Sequence, residues 1–127
     1  MTKCVLDTSA LLAYVSAERG AEIVSGVIGD ALISSVNYAE AVSTLVPRTG
    51  SLDSARKILG IAELDVIDFD RALAEQAGSL VTQTRRLGLS LGDRACLALA
   101  ARMNCAAFTA DRAWMKLDIG VEIRLIR

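Results

Sequence analysis

Short β-type runs alternate with helical segments along the chain, and this alternation limits the possible folds more than any other feature. The runs are Val5-Leu6, Ala31-Leu32-Ile33, Leu64-Asp65-Val66-Ile67-Asp68, Ala106-Ala107-Phe108-Thr109 and Val121-Glu122-Ile123-Arg124-Leu125-Ile126. Short apolar runs such as Ala31–Ile33 are what strands buried on both faces require. The last run alternates, as an edge strand does. Strands of this kind separated by helices predict an α/β fold with a mostly parallel central sheet between helical layers.

Helical spacing appears from Ala10 to Val15 and again from Ala21 to Ile28. Val36–Val46 reads as a helix stopped by Pro47, because proline lacks an N–H and clashes with the preceding turn. Asp53–Ile61 follows. Asp70 is the expected cap of a long helix reaching about Arg86, and Leu87–Gly92 reads as a loop. Asp93 is expected to open an Ala-rich helix through Met103, and Arg112–Leu117 to form a short one. No repeat, low-complexity segment or linker divides the 127 residues, so a single domain over 1–127 is expected.

Composition removes several chemistries. Histidine is absent, which excludes Ser-His-Asp and Cys-His nucleophile systems, HExxH zinc sites and imidazole-based RNA cleavage. The cysteines Cys4, Cys96 and Cys105 are odd in number and lack CxxC spacing, so buried reduced thiols are expected. Any chemistry falls to carboxylates, hydroxyls, Lys or Arg, with a hard metal ion. No apolar run approaches the ~18 residues of a membrane helix, and a strand follows Lys3 at once, so no membrane association and a cytoplasmic location are expected. A net charge of −1 argues against a broad nucleic-acid footprint, although 14 cations suffice for one basic face. Aromatics at 4% argue against a base-stacking platform.

In parallel α/β folds ligands bind beyond the carboxyl ends of the strands. Asp7, Glu40, Asp93 and Asp111 all belong near that edge. Taken singly, each has a plain explanation. Asp7, Asp93 and Asp111 suit helix N-caps, and Glu40 completes a capping box with Asn37. Taken together, four carboxylates at one sheet edge repel unless a cation sits among them. Oxygen-only ligation selects Mg²⁺ or Mn²⁺, ions that serve phosphodiester hydrolysis. Thr8 or Ser9, and Thr109, are placed either to steady these acids or to make local caps. Arg85, Arg86, Arg94 and Arg112 are candidates for phosphate contact, with helix C-terminal pairing an equal explanation for the first two.

Four segments resemble the acidic motifs of PIN domains and, more narrowly, of VapC toxins of VapBC toxin–antitoxin pairs. They are Val5-Leu6-Asp7-Thr8-Ser9, Ser34-Ser35-Val36-Asn37-Tyr38-Ala39-Glu40, Leu89-Ser90-Leu91-Gly92-Asp93 and Phe108-Thr109-Ala110-Asp111-Arg112-Ala113-Trp114. The resemblance covers essentially the whole chain. It implies a PIN-like α/β/α sandwich and a metal-dependent endoribonuclease leaving 5′-phosphate and 3′-hydroxyl ends. It also implies Asp7, Glu40, Asp93 and Asp111 as catalytic ligands of Mg²⁺ or Mn²⁺, with Ser9 and Thr109 in support. The implied partners are an RNA substrate, a VapB-type antitoxin that blocks the acidic site, and a second copy in a homodimer. No further acid follows Asp93 in Arg94-Ala95-Cys96-Leu97, which leaves one or two ions open. Apolar residues Leu11, Leu12, Tyr14, Val15, Val42, Leu45 and Val46 suit either the core or an antitoxin groove.

Three other readings fit less well. A phosphoaspartate phosphatase needs a second Asp where Ser9 stands. A signal receiver needs paired acids after the first strand, where only Asp7 is found. A catalytically silent PIN-like RNA- or protein-binding module has no need of four acids.

Overall fold

The computed structural model describes residues 3–127; the first two residues of the expected 1–127 domain lie outside it. Five strands, β1 (Cys4–Leu6), β2 (Ala31–Ser34), β3 (Asp65–Ile67), β4 (Ala106–Thr109) and β5 (Ile123–Leu125), form one sheet in the order β3-β2-β1-β4-β5. Every pairing is parallel. The chain builds outward from β1 to β3, then returns to add β4 on the other side. The reversal of direction falls between β1 and β4, the switch point at which parallel sheets open a crevice.

The helices are α1 (Thr8–Val15), α2 (Ala21–Ser25), α3 (Ser35–Thr49), α4 (Leu52–Gly60), α5 (Arg71–Ser79), α6 (Val81–Thr84) and α7 (Leu91–Met103). Strand side chains alternate between the sheet's two faces, and the core divides accordingly. Val5, Leu32 and Ala107 pack with Leu73 and Ala77 of α5, with α7, and with Trp114. Cys4, Leu6, Ala31 and Phe108 pack with Ala10, Ala13 and Val24 on the other side. Ile33 joins Leu11, Ala41, Leu45, Ala55 and Leu59 there. The result is the expected three-layer α/β/α sandwich. In α7 every residue from Ala95 to Ala100 is buried, because the sheet, α3 and α5 all meet this helix. Its alanines let them approach closely. The thiols are free, with Cys4 and Cys96 buried and Cys105 half-buried.

Several local expectations are corrected. Pro47 does not stop its helix: α3 runs to Thr49 and ends where Gly50, at φ 89°, donates its N–H to the Val46 carbonyl at 2.8 Å. Near a helix end proline forfeits one N–H, and the left-handed residue makes the stop. The long helix expected over 70–86 breaks at Leu80, two residues after Gly78, the weakest helix former of the run. The residues that follow, Arg85–Leu87, form a 3-10 turn. Asp70 does cap α5, accepting from Leu73 N–H at 2.9 Å. The segment after β4, Arg112–Lys116, is a 3-10 helix rather than an α-helix.

Trp114 is fully buried and anchors that 3-10 segment to the α5–α7 side of the core. Trp114→Ala is expected to cost about 3–5 kcal/mol of stability, because an indole leaves a cavity that the sheet cannot close. Urea denaturation of the two proteins measures it.

Candidate functional site

Asp7 emerges from β1 and is 4% exposed. Its extended backbone lets the carboxylate turn back and cap α1, accepting from Ala10 N–H at 2.8 Å. Ser9 donates to the same oxygen, Oδ1, at 2.7 Å, and Thr109 donates to Oδ2 at 2.6 Å. Each hydroxyl also accepts from the backbone after β4. Ser9 Oγ takes the Ala110 N–H at 2.9 Å, and Thr109 Oγ1 takes the Asp111 N–H at 3.0 Å. Ser9 and Thr109 therefore join the ends of β1 and β4 through the first acid. Burial, opposed by these hydrogen bonds, pushes the Asp7 carboxyl up to about 6, with the Asp93 charge adding to the rise.

Asp93 is not an N-cap. Ser90 caps α7, and Asp93 is its reciprocal partner one turn in, accepting from Ser90 N–H at 2.9 Å through Oδ2. Burial, and then the charges of Asp111 and Glu40, raise its carboxyl above the ordinary range against the lowering effect of the Ser90 bonds. Asp111 caps the 3-10 helix as expected, accepting from Ala113 N–H at 3.0 Å through Oδ1. Glu40 does not belong to a capping box with Asn37, because Ser34 is the N-cap of α3. Glu40 lies in the second turn, where its Oε1 accepts from Thr8 Oγ1 at 2.6 Å and from Asn37 Nδ2 at 3.1 Å.

All four acids line one cavity of about 510 Å³, with Thr8, Ser9, Leu12, Thr44 and Ala110. It opens at the carboxyl end of the sheet, at the switch point. Within it the acids stand apart: among the described residues no three of them form a ready-made ligand cluster. Each is held by an N–H or O–H donor.

The donor set nevertheless suits a hard cation. It is wholly oxygen, and no His or Cys lines the cavity. Glu40 Oε2, Asp93 Oδ1 and Asp111 Oδ2 accept no hydrogen bond among the described residues, and Asp7 Oδ2 accepts only one. Magnesium dehydrates reluctantly and keeps several waters, so it tolerates a spread of acids better than a metal that needs a tight cage.

The expected phosphate contacts are placed differently. None of Arg85, Arg86, Arg94 and Arg112 lines the acidic cavity. Arg85, Arg86 and Arg112 are exposed, and Arg86 borders a separate cleft with Gln83, Leu87 and Lys116. Arg94 is half-buried: Nη1 donates to the Ala77 carbonyl at 3.0 Å and Nε is buried without a partner. It braces α7 against α5.

Two residues at the site hold roles other than those their sequence context suggests. Asn37, expected in a capping box, is instead buried beneath Glu40; its signal is an amide set between Val36 and Tyr38. Gly92 was read as a loop residue, yet it lies inside α7 against the Glu40 carboxylate. A glycine in a helix that no turn requires was its signal.

The model of the PIN domain family matches residues 4–120. The chain belongs to the PIN domain family. No curated protein matches it in sequence. Among solved structures, this PIN domain is similar to a chain of DNA-bound VapBC from Salmonella typhimurium, at 21% identity and TM-score 0.73, covering 100% of both chains. It is also similar to a chain of VapBC2 from Rickettsia felis bound to a promoter DNA fragment, at 17% identity and TM-score 0.74, covering 98% of each. A third is Mycobacterium tuberculosis VapC20, a sarcin–ricin loop cleaving toxin, at 18% identity and TM-score 0.70, covering 94% of this chain and 98% of that one. At these identities the likeness shows the shared fold.

Proposed function

We propose that this PIN domain is a Mg²⁺- or Mn²⁺-dependent endoribonuclease and the toxin of a VapBC-type pair. The observation that carries the reading is the gathering of Asp7, Glu40, Asp93 and Asp111, from four separate chain segments, around one cavity at the switch point of the sheet. Their free oxygens are the atoms that would hold the ion. A bound ion of this type supplies Lewis-acid polarisation of a phosphoryl oxygen and activates water near neutral pH. Asp7 contributes a carboxylate whose direction is fixed by Ser9, Thr109 and Ala10. Asp111, on the open side of the cavity, is exposed and accessible to an incoming phosphodiester.

The cavity itself is acidic and repels RNA, so backbone phosphates away from the cut fall to cations outside it. Arg112, next to Asp111, and the exposed pair Arg85 and Arg86 are assigned this role. Arg94 is left out, since its guanidinium is engaged in the fold.

An antitoxin partner is supported by the fold shared with chains of VapBC complexes and by the face around α1, α3 and α4. Leu11 and Leu45 prove to be core, but Leu12, Tyr14, Val15, Val42 and Val46 are only half-buried, and Leu52 of α4 and Ile61 just after it are exposed. A homodimer within that complex completes the proposal. Among the described residues no helix is long and apolar enough to cross a membrane.

The test is cleavage of end-labelled RNA by the purified chain with Mn²⁺, Mg²⁺ or chelator. Cleavage is expected with either ion, leaving 5′-phosphates. Chelator is expected to slow it about 10³-fold or more, the equivalent of several kcal/mol of lost charge stabilisation. Cleavage that persists undiminished in chelator, or RNA left intact with metal present, refutes the assignment.

A further inference from the structure

Glu40 differs from the other three acids in how it is held. Asp7, Asp93 and Asp111 each accept a backbone N–H at the start of a helix. Glu40 sits in the second turn of α3, where the backbone N–H groups are already used, and its side chain is exposed. A long, exposed carboxylate of this kind has several rotamers open to it. Three neighbours remove that freedom.

The first is Asn37, 1% exposed. Its Nδ2 lies 3.1 Å from Glu40 Oε1, 3.0 Å from the Gly92 carbonyl and 3.3 Å from Thr8 Oγ1. A carboxylate and a carbonyl can only accept, so the amide nitrogen and not its oxygen must face them. The second is Thr8, whose hydroxyl donates to the same Oε1 at 2.6 Å. The third is Gly92. A Cβ there would stand 2.5 Å from Oε1, 2.6 Å from Oε2 and 2.7 Å from the carboxyl carbon. The carboxylate lies in the space a side chain would fill.

Two donors therefore occupy Oε1, while Oε2 accepts nothing among the described residues. Asn37 Oδ1 is buried with no partner, an arrangement that disfavours folding. A leucine has the same branching without that penalty, so packing alone does not call for an amide here. What the amide adds is its donor side.

We infer that Asn37 and Thr8, together with the bare backbone of Gly92, are positioning residues that fix Glu40 as a ligand through Oε2. The inference rests on the metal-dependent reading above. Partners that orient a ligand act on affinity for the ion, and their loss weakens it by about 10–100-fold.

The experiment is calorimetric titration of Mn²⁺ into the metal-free full chain, with cleavage measured against Mn²⁺ concentration. Asn37→Leu and Thr8→Val, which keep the branching of each side chain but remove the donors, are each expected to bind Mn²⁺ about 10–100-fold more weakly and to need correspondingly more of it for cleavage. Thr8→Ser, which restores the hydroxyl, is expected to bind as the wild type does. The metal-free melting temperatures of the two Thr8 variants are expected to agree, which separates holding the ligand from holding the fold. Wild-type Mn²⁺ affinity in both Asn37→Leu and Thr8→Val, with the wild type binding and cleaving, overturns the positioning role alone. A wild-type chain that neither binds Mn²⁺ nor cuts RNA overturns the nuclease reading and this inference with it.

Discussion

Asp7→Asn is expected to abolish RNA cleavage while making the metal-free protein more stable above pH ~7. The two effects share one cause. Asp7 is held among apolar strands and helix ends, and its folded carboxyl titrates at about 6 rather than at the ordinary 3.8. Between those values the folded chain binds more protons than the unfolded one, so stability falls as pH rises through that window and stays low above it. The rise corresponds to about 3 kcal/mol against folding with Asp7 ionised. Asparagine removes the charge and keeps one oxygen to accept from Ser9 and Ala10. Its amide faces Thr109 Oγ1, which must then give up its role as donor, so part of the gain is lost. A net gain of about 1–2 kcal/mol remains, or a rise of about 5 °C in melting temperature for a domain of this size. Cleavage is expected to fall about 10³-fold or more, since the ligand proposed for the ion is gone. Melting curves in chelator on either side of pH ~6 and a cleavage assay check both parts. A variant that still cuts at the wild-type rate removes Asp7 from the site. Equal melting temperatures across that pH range remove the account of its ionisation.

Gly92→Ala separates stability from activity in a second way. Its backbone is helical, at the second position of α7, so alanine gains at most about 0.5–1 kcal/mol from helix propensity alone. The added methyl group, however, meets the end of the Glu40 side chain rather than backbone. A flexible side chain can move aside, so the fold accommodates the change and the site does not. Glu40 leaves Thr8 and Asn37, and its oxygen leaves the position from which it would serve the ion. Cleavage at limiting Mn²⁺ is expected to fall by about 10²-fold with the melting temperature unchanged or slightly higher. Full activity in this variant means that the observed place of Glu40 is immaterial to the reaction.

How much of this was legible in the sequence differs from element to element. The inner strands β1, β2 and β4 and the parallel arrangement follow from short apolar runs separated by helices, because burial on both faces demands that composition, while the edge strands β3 and β5 are mixed. Asp7 and Asp111 were read as caps and as candidate site acids, and both are caps. Their local geometry is set by the two or three residues that follow. Asp93 and Glu40 do not hold the capping roles the sequence suggests, although Asn37 does bond to Glu40. Capping residues one turn apart are interchangeable in sequence, and only the helix start decides between them: Ser90 rather than Asp93, Ser34 rather than Asn37. Pro47 misled for a related reason, since its cost depends on how near the helix end it lies, and Gly50 sets that end.

The acids themselves, the absence of histidine and the strand–helix order were determined by the sequence alone. They set the class of fold and left the chemistry of the site to carboxylates, hydroxyls, Lys and Arg. What only the tertiary structure decided was which atoms meet. Asn37 reaches the Gly92 carbonyl across 55 positions of sequence, and Thr109 reaches Asp7 across 102. Hydrogen bonds between such distant residues leave no periodic trace, because each depends on where the sheet reverses direction and on how closely α3 and α7 approach. The same closeness withdraws Arg94 into the fold and gives the Glu40 carboxylate the space above a glycine.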